Sequence, residues 1–411
     1  MTKIIKIAFR NLYRQKRRSF LTVAIVAFGV LAVLLFSATA GSFKNIIIGE
    51  ITDSMLGHIQ IHPKGYVGAL DNLPLDKTLD EGQINKLEKI LDKIPEIKAY
   101  SYRILLNGMV SNYIESTNAK FSAIIPSKED KVVPLLRERL IKGKFLEKGQ
   151  ILLPELITKG FKVKVGDDIV LVATNNDGSV NGQSLKIAGI MEGVMGPTGK
   201  YGYLHLEDAK KILRMNQAQI SEVAIRLKDF NKLDEVYQVL QEELSSITNS
   251  KDKPIYEIHT WESLSPFYNI AQMIDMMAFF IKIILIGIVL VSIMNVMIMA
   301  VYERTKEIGS ISAMGTLPSK IRIMFLTEGF FLGIIGSFIG TVISIIAIII
   351  VNSAKISIPF GRDSMILLKP EISLNEIWTT VLIVVIVSII AVFEPAYKAS
   401  KMEPVEALRQ N

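Results

Sequence analysis

The sequence predicts an α-helical membrane protein with four transmembrane helices and a large mixed α/β extracytoplasmic domain between helices 1 and 2. Two observations predict the helices: half of the residues are hydrophobic, and the uncharged residues gather in four long runs. A bilayer core takes about 20 helical residues to cross. The domain is predicted because residues 44–275 lack such a run and alternate between strand-like and helix-like patterns.

The four spans follow from the uncharged runs. Residues 19–43 form a run of 25 residues without a charge. The second span ends at Tyr302 with a run of 20 uncharged residues. The third contains 26 uncharged residues after Glu328, and the fourth begins with a shorter run of 17. The predicted spans are 19–43, 276–302, 323–354 and 377–397.

The basic residues predict the orientation. Residues 1–18 carry seven Lys or Arg and no acid, which equals the whole net charge of +7. A basic cluster beside a first span marks the cytoplasmic side. Segments 1–18, 303–322 and 398–411 are therefore expected inside, and 355–376 outside. This membrane explanation leaves no reason to expect a nucleic-acid partner.

The first span is expected to be an uncleaved anchor. A cleaved signal peptide is the alternative, but its apolar core is usually 7–15 residues long. Apolar residues continue at i+4 spacing to Met55, which predicts a helix that runs on beyond the membrane. One amphipathic helix that leads into the second span is predicted by apolar residues at three- and four-residue spacing. They are Trp261, Leu264, Phe267, Ile270 and Ile274. Both are interpreted as stalk helices of the domain.

Within residues 44–275, turn residues separate strand and helix patterns. Asp177 and Gly178 lie in a polar linker between two β-rich runs, which predicts a hairpin. Strands are predicted at 57–62, 100–110, 121–125, 168–173, 184–191 and 221–227, with a strand followed by a short helix at 149–160. Helices are predicted at 80–91, 207–215 and 231–246.

Catalytic and cofactor motifs are weak. His58 and His62 share a strand face, but a third metal ligand is missing at motif spacing, so no metal site is expected. Residues 193–200 resemble a phosphate loop, yet Val194 replaces its first glycine and Tyr201 its Ser/Thr. We expect no catalytic residue and no cofactor in this chain, and therefore a non-enzymatic protein.

Two features of the spans are candidates for helix contacts. Lys282 and Glu328 lie near span ends, where snorkelling or a polar helix contact is favoured over an ion pathway. Gly333, Gly336 and Gly340 follow a small-residue pattern that lets helices approach closely. Packing within the chain and a dimer interface both remain open for these glycines.

The segment 303–322 is short, charged and amphipathic, and both of its ends enter membrane spans. That placement suits contact with a cytosolic partner that applies force. The residues expected to make this contact are Glu303, Arg304, Lys306, Glu307, Ile308, Gly309, Ala313, Met314 and Gly315.

Three separated motifs resemble one family. The chain resembles the MacB/FtsX-like permeases of ATP-binding cassette (ABC) systems at Glu303–Gly309 with Ala313–Gly315, at the ending 394–409 and at the opening 8–12. Residues 57–62 are most similar to the lipoprotein-releasing (LolC/LolE-type) branch.

The resemblance implies a mechanism and partners. Two permease subunits, identical or paralogous, would sit among the lipids of the bacterial inner membrane. They would bind two cytoplasmic ABC ATPase subunits, which hold ATP and Mg. Segment 303–322 would be the coupling helix. ATP hydrolysis would drive the periplasmic domain to release lipoproteins to a periplasmic chaperone, with Asp177 and Gly178 helping the transfer. MacB-like efflux of small molecules or peptides, and FtsX-like signalling to a periplasmic hydrolase, are the alternatives.

Overall fold

The computed structural model describes residue 10 and residues 14–69, 73, 75–175, 177–192, 199–215, 219–249, 252–360 and 364–402. Three segments named in the sequence lie outside these residues. They are the opening motif apart from Arg10, the ending beyond residue 402, and most of the glycine-rich stretch at 193–200. The chain divides into two compact units: residues 1–46 with 270–411, and residues 47–269.

Helices occur in both units. In chain order they are α1 (Lys16–Ile51), α2 (Glu81–Leu91), α3 (Pro126–Val132), α4 (Glu155–Phe161), α5 (Leu206–Ile212), α6 (Leu233–Ser245), α7 (Trp261–Leu264), α8 (Phe267–Glu303), α9 (Thr305–Ala313), α10 (Pro318–Ser353) and α11 (Leu374–Ser400).

The strands are β1 (Ile59–Pro63), β2 (Ile97–Ser111), β3 (Ser116–Ile124), β4 (Leu140–Gly143), β5 (Gln150–Pro154), β6 (Asp168–Thr174), β7 (Val180–Met191), β8 (Tyr201–His205), β9 (Glu222–Leu227), β10 (Tyr256–Thr260), β11 (Ser357–Phe360) and β12 (Ser364–Leu367).

The first unit is built from membrane helices. Among the described residues, four helices are long and apolar enough to cross a bilayer: α1 with its extension to Leu56, α8, α10 and α11. Their shared core includes Val30, Ile293, Phe325 and Val392, each fully buried. Large apolar side chains elsewhere on these helices are exposed, as expected for surfaces that face lipid.

The second unit is an α/β domain around one sheet. Its strand order is β10-β1-β9-β2-β3-β8-β5-β7-β4, and β6 pairs with both β2 and β7. The long strand β2 joins the two halves, because it pairs with β9 near its start and with β3 and β6 near its end. A core cluster containing Phe121, Leu171 and Leu204 lies beneath α5.

Several predicted elements are present. Asp80 caps α2 through a reciprocal bond with Gln83. β6 and β7 pair in antiparallel register and form the predicted hairpin. α1 continues beyond Ile51 as a π-helix from Thr52 to Leu56, as the i+4 spacing predicts.

The helix predicted from Thr260 into the second span is wrong in one respect. α7 ends at Leu264 and α8 begins at Phe267. Ser265 is extended, with φ −107° and ψ 125°. The reason is Pro266, which lacks an N–H and disfavours the helical conformation of the residue before it. Two helices therefore replace the single amphipathic helix.

Candidate functional site

The segment between α8 and α10 consists of a short helix and a tight turn. α9 starts two residues after α8 ends at Glu303. Gly315 has φ +87° and donates its N–H to the carbonyl of Ser312 at 2.9 Å. This left-handed conformation suits glycine. Pro318 then opens α10, where a missing N–H does no harm. The segment 303–322 is thus a helix, a turn and the first residues of α10.

One side of this segment is buried. Ile308 is 3% exposed and belongs to the apolar cluster that also contains Ile321 and Phe325. Thr305 donates its hydroxyl to the carbonyl of Tyr302 at 2.8 Å. The buried residues of the segment 303–322 are Arg304, Thr305, Ile308, Gly309 and Ile321.

The other side is open to solvent. Met314 is 77% exposed and Leu317 is 57% exposed at the turn after α9. Glu303, Lys306 and Glu307 are exposed nearer α8, as is Ala313 at the end of α9. Two large apolar side chains at a turn, beside charged residues, form a surface suited to a protein partner. We call Met314 and Leu317 the apolar tip.

Charged side chains tie this segment to two membrane helices. The carboxylate of Glu328 on α10 lies 3.3 Å from the guanidinium of Arg304 and 3.8 Å from that of Arg18 on α1. Glu307 on α9 pairs with Arg14. We call Arg18, Arg304 and Glu328 the buried arginine–glutamate cluster.

The glycines of α10 contact other helices of the same chain. A Cβ at Gly336 would lie 2.5 Å from the Cβ of Val26, and one at Gly340 would lie 2.6 Å from the carbonyl of Ala27. Gly333 faces Ser388 of α11 in the same way. These three glycines therefore pack α10 against α1 and α11 within the chain.

Lys282 and Glu376 form a second charged contact. Their side chains lie 3.3 Å apart, and Glu376 also accepts a hydrogen bond from Ser37 of α1. Both intramembrane charges singled out in the sequence, Lys282 and Glu328, thus have polar partners within the chain.

In the α/β domain, Asp177 and Gly178 lie at the turn of the β6–β7 hairpin. Gly178 has φ +81°, and Asp177 accepts hydrogen bonds from the amide and hydroxyl of Ser179. The bond from that side chain lowers the pKa of Asp177. An open groove of about 780 Å³ lies beside the hairpin strands. Its lining includes Met109, Lys120, Val180 and Lys200.

The far end of α1 is fixed to the same domain by ion pairs. Glu50 lies 2.6 Å from Arg139, and Asp53 of the π-helix lies 2.8 Å from Arg226. His58 is 3.9 Å from the same Asp53 carboxylate. We call these five residues the domain clamp.

The two histidines predicted to share a strand face both contact other protein groups, although His58 lies just before β1. His58 accepts a hydrogen bond from the amide of Leu227 at 3.1 Å. His62 stacks on Tyr66 with ring centroids 5.4 Å apart and lies 3.5 Å from Glu222. Within the described ranges, three or more His, Asp or Glu side chains never gather as a metal site would require.

A buried charge network crosses the middle of the domain. Arg103 of β2 lies 2.7 Å from Glu222 and 2.6 Å from Glu129. Burial alone would raise the pKa of Glu222, but Arg103 and His62 outweigh it, so this pKa lies below its usual value. The network holds β2, β9 and α3 together.

Comparison with known proteins supports a family assignment. Residues 19–243 match the MacB-like periplasmic core domain, and residues 279–404 match the FtsX-like permease C-terminal family. The chain belongs to the MacB/FtsX-like family of ABC transporter permeases. The first match covers most of α1 and of the α/β domain. The second covers most of α8, the segment after it, and the helices α10 and α11.

Relatives of the permease span its whole length. The chain is 20% identical to the lipoprotein-releasing system transmembrane protein LolC of Neisseria meningitidis serogroup B, over 98% of both chains. It is 23% identical to the macrolide export ATP-binding/permease protein MacB of Haemophilus ducreyi, over 98% of this chain and 55% of that protein.

Solved structures with similar regions include a MacB periplasmic domain. The periplasmic region of MacB from Actinobacillus actinomycetemcomitans aligns with 54% of this permease and 94% of that chain, at 13% identity and a TM-score of 0.35. The extracellular domain of YknZ from Gram-positive bacteria aligns with 49% of this permease and 99% of that chain, at 14% identity and a TM-score of 0.34.

The structure separates the predicted contact residues into two groups. Glu303, Lys306, Glu307, Ala313 and Met314 lie on the solvent side, with Gly315 in the turn. The buried side holds Arg304, Ile308 and Gly309.

Sequence reasoning missed two contributors to this site. Leu317 completes the apolar tip, and its position just before Pro318 was a usable signal, because a helix commonly begins there. The partners of Glu328 were not visible, since Arg18 is more than 300 residues away in the chain. An isolated acid within an apolar run was the available hint.

Proposed function

We propose that this permease works with a separate pair of cytoplasmic ABC ATPase subunits and releases lipoproteins from the inner membrane toward the outer membrane. The observation that carries the ATPase contact is the two-sided segment around α9. Its apolar tip and charged side face solvent, while its other side packs on the membrane helices. An exposed surface fixed to transmembrane helices can pass motion to them.

The cargo is inferred from the relatives. The chain matches LolC from end to end, at 98% of both lengths. We therefore infer a second permease subunit, a copy or a paralogue, and a periplasmic lipoprotein chaperone as partners. The hairpin with Asp177 and Gly178, beside the groove, is the proposed region for cargo or chaperone.

The remaining features of the proposal follow from this assembly. ATP and Mg bind to the partner ATPase, and the permease itself uses no cofactor. Both termini lie in the cytoplasm, because the basic residues of 1–18 precede the first span. The α/β domain then lies in the periplasm.

Efflux is the second candidate function. It is favoured by the match to MacB, which also covers 98% of this chain. The FtsX-like match covers residues 279–404, which all three candidate functions share, so it does not favour signalling to a hydrolase.

A release assay tests the proposal. The permease and its partner ABC ATPase are reconstituted in liposomes that contain a triacylated lipoprotein, and the periplasmic chaperone is added with ATP and Mg. We expect lipoprotein to appear in the soluble fraction only with ATP. The double variant Met314→Asp with Leu317→Asp should lower ATPase binding about tenfold or more, because charge on the tip opposes burial in an interface.

A matched control is Val239→Asp on α6, which also places a charge on an exposed apolar residue and should leave release intact. ATP hydrolysis without lipoprotein release, together with ATP-driven movement of a macrolide or peptide, would favour efflux. Unchanged ATPase binding by the double variant would remove the coupling assignment.

A further inference from the structure

The buried arginine–glutamate cluster joins three parts of the membrane unit. Glu328 is on α10, Arg18 is near the start of α1, and Arg304 directly precedes α9. Their side chains are 3%, 15% and 5% exposed. Among the described salt bridges of this unit, the others are more exposed. The cluster therefore contains the most buried ion pairs that the structure describes in the membrane unit.

Burial makes this contact demanding. A carboxylate in an apolar environment needs partners, and removing one partner leaves an uncompensated charge. Glu328 has two, and its oxygens divide them: Oε2 faces Arg304 and Oε1 faces Arg18. A shift of α9 that pulled Arg304 away from Glu328 would leave α1 and α10 with a poorly paired carboxylate. Moving the three elements together avoids this cost.

The contacts continue to both neighbours. Arg304 lies 4.0 Å from Glu307, which pairs with Arg14 ahead of α1. Arg18 is held in place by Gln15, 2.8 Å away, and contacts the sulfur of Met297 on α8. The charges thus connect the segment around α9 to Arg18 of α1 and to Arg14 just ahead of that helix. The apolar tip takes no part in these contacts and stays free for a partner.

We propose that Glu328 is a positioning residue, which with Arg304 and Arg18 transmits displacement of the α9 segment to α1 and α10. This inference rests on the proposed function, since an ATPase must displace the segment. It assigns Arg304 to transmission inside the permease rather than to the ATPase surface. An ordinary structural ion pair would affect assembly but would not change how much transport each hydrolysed ATP supports.

The test measures coupling separately from binding. In reconstituted complexes we compare ATPase binding, ATP hydrolysis and lipoprotein released per ATP for Glu328→Gln, which keeps the shape but removes the charge. We expect the ATPase to bind and the release per ATP to fall about tenfold, a typical coupling factor between linked sites. The control is Glu376→Gln, which removes the acid of the Lys282 pair. It should change the ratio less than about twofold.

A second variant keeps the test decisive if Glu328→Gln does not assemble. Arg304→Lys retains the positive charge but loses the planar guanidinium with its several donor nitrogens. Lipoprotein release per ATP should also fall in this variant while the ATPase still binds. An unchanged ratio in either folded variant overturns the proposal. A loss of lipoprotein release that merely follows the amount of assembled complex also overturns the proposal.

A readout without cargo separates this inference from the proposed function. The sequence contains no cysteine, so Lys86→Cys on the exposed side of α2 can carry a single fluorescent label. We expect ATP to change the label signal in the otherwise unaltered permease and to lose this effect in Glu328→Gln. A signal without lipoprotein release rejects the cargo but still tests the cluster. Failure of the unaltered permease to bind the ATPase rejects the proposed function itself.

Discussion

The two ends of α1 are both held by ion pairs, but in different surroundings. At its start, Arg18 enters the buried arginine–glutamate cluster, where Glu328 is 3% exposed. At its end, Glu50 and Asp53 enter the domain clamp, where their side chains are 25% and 27% exposed. The first contact is dry and shared among three elements. The second is more exposed to solvent and consists of the Glu50–Arg139 pair and of Asp53 with its two partners.

The signs of the charges sharpen this contrast. A helix favours acids near its start and bases near its end because of its dipole. α1 has arginines at its start and acids at its end, which is the reverse arrangement. These charges are therefore explained by their partners rather than by the helix. The comparison teaches that the start of α1 is held by buried ion pairs, whereas its end is held by ion pairs that are more exposed to solvent.

Equivalent truncations should reveal the largest difference. Arg304→Ala leaves Glu328 with one distant partner and should lower the free energy of unfolding by about 3 kcal/mol. Arg226→Ala in the domain clamp should cost about 1 kcal/mol, because its partner is partly solvated. Denaturant titration in detergent measures both. Equal costs would show that the difference in burial between the two ends has no energetic meaning.

The middle of α1 offers the next test. Gly340→Leu would force a side chain against the Ala27 carbonyl and should destabilise the membrane unit by about 2 kcal/mol through overpacking. Thermal unfolding in detergent measures the effect. Gly287→Leu is the control, since space around Gly287 is open. If both variants melt alike, α10 does not hold α1 as closely as described.

Salt should act on one end more than on the other. At 1 M salt the screening length is about 3 Å, and partly exposed pairs weaken more than buried ones. Hydrogen exchange of the π-helix amides at 52–56 should accelerate on the order of threefold, the effect of losing less than 1 kcal/mol. Amides of α9 should change little. Parallel acceleration of both segments would contradict the contrast.

The smallest effect is expected from pH near the domain end. Burial and nearby His62 lower the pKa of His259, so the unfolded chain binds this proton more readily than the folded chain. Stability is therefore complete above about pH 6.5, the unfolded value, and falls as pH drops toward the folded pKa.

Backbone amides lower the pKa of Glu257 in the same domain. Burial alone would raise this pKa, but hydrogen bonds from the amides of Val67 and Gly65 lower it, so a further loss of stability begins below about pH 4.3.

Tryptophan fluorescence measures the effect of His259. In the variant Trp378→Phe, Trp261 reports on the domain, and the melting temperature of the domain should fall about 2 °C between pH 7.5 and 5.5. His259→Gln should reduce that fall. A drop of the same size in this variant would exclude His259 as its source.

Local chemistry made much of the fold predictable. The uncharged runs located the membrane helices, Asp80 marked the start of α2, and Asp177-Gly178 marked the β6–β7 turn. Each signal lies within a few residues of the feature that it predicts. Pro266 was an equally local signal, and the continuous helix predicted through it was wrong because apolar spacing was weighed above the missing N–H.

Long-range pairing was beyond the sequence. β8 pairs in parallel with β3 across some 80 residues, and short β-rich stretches carry no information about such partners. The same holds for the candidate site. The exposed charges Glu303, Lys306 and Glu307 were predictable from the segment itself, whereas the exposed Leu317 was missed. Glu328 and Arg18 meet only because α10 and α1 pack together through glycines of α10.

The shared strand β2 has a consequence for how such proteins diversify. Tyr100 lies opposite Ile225, whose carbonyl accepts the amide of His58 where the chain enters the domain. Ser111 ends the strand about 35 Å further on, at about 3.3 Å per residue. The turn after Ser111 can therefore be exchanged without disturbing the entry of the first helix. A local insertion at this turn can in this way lengthen the loop while the hydrogen bond from His58 to Ile225 is kept.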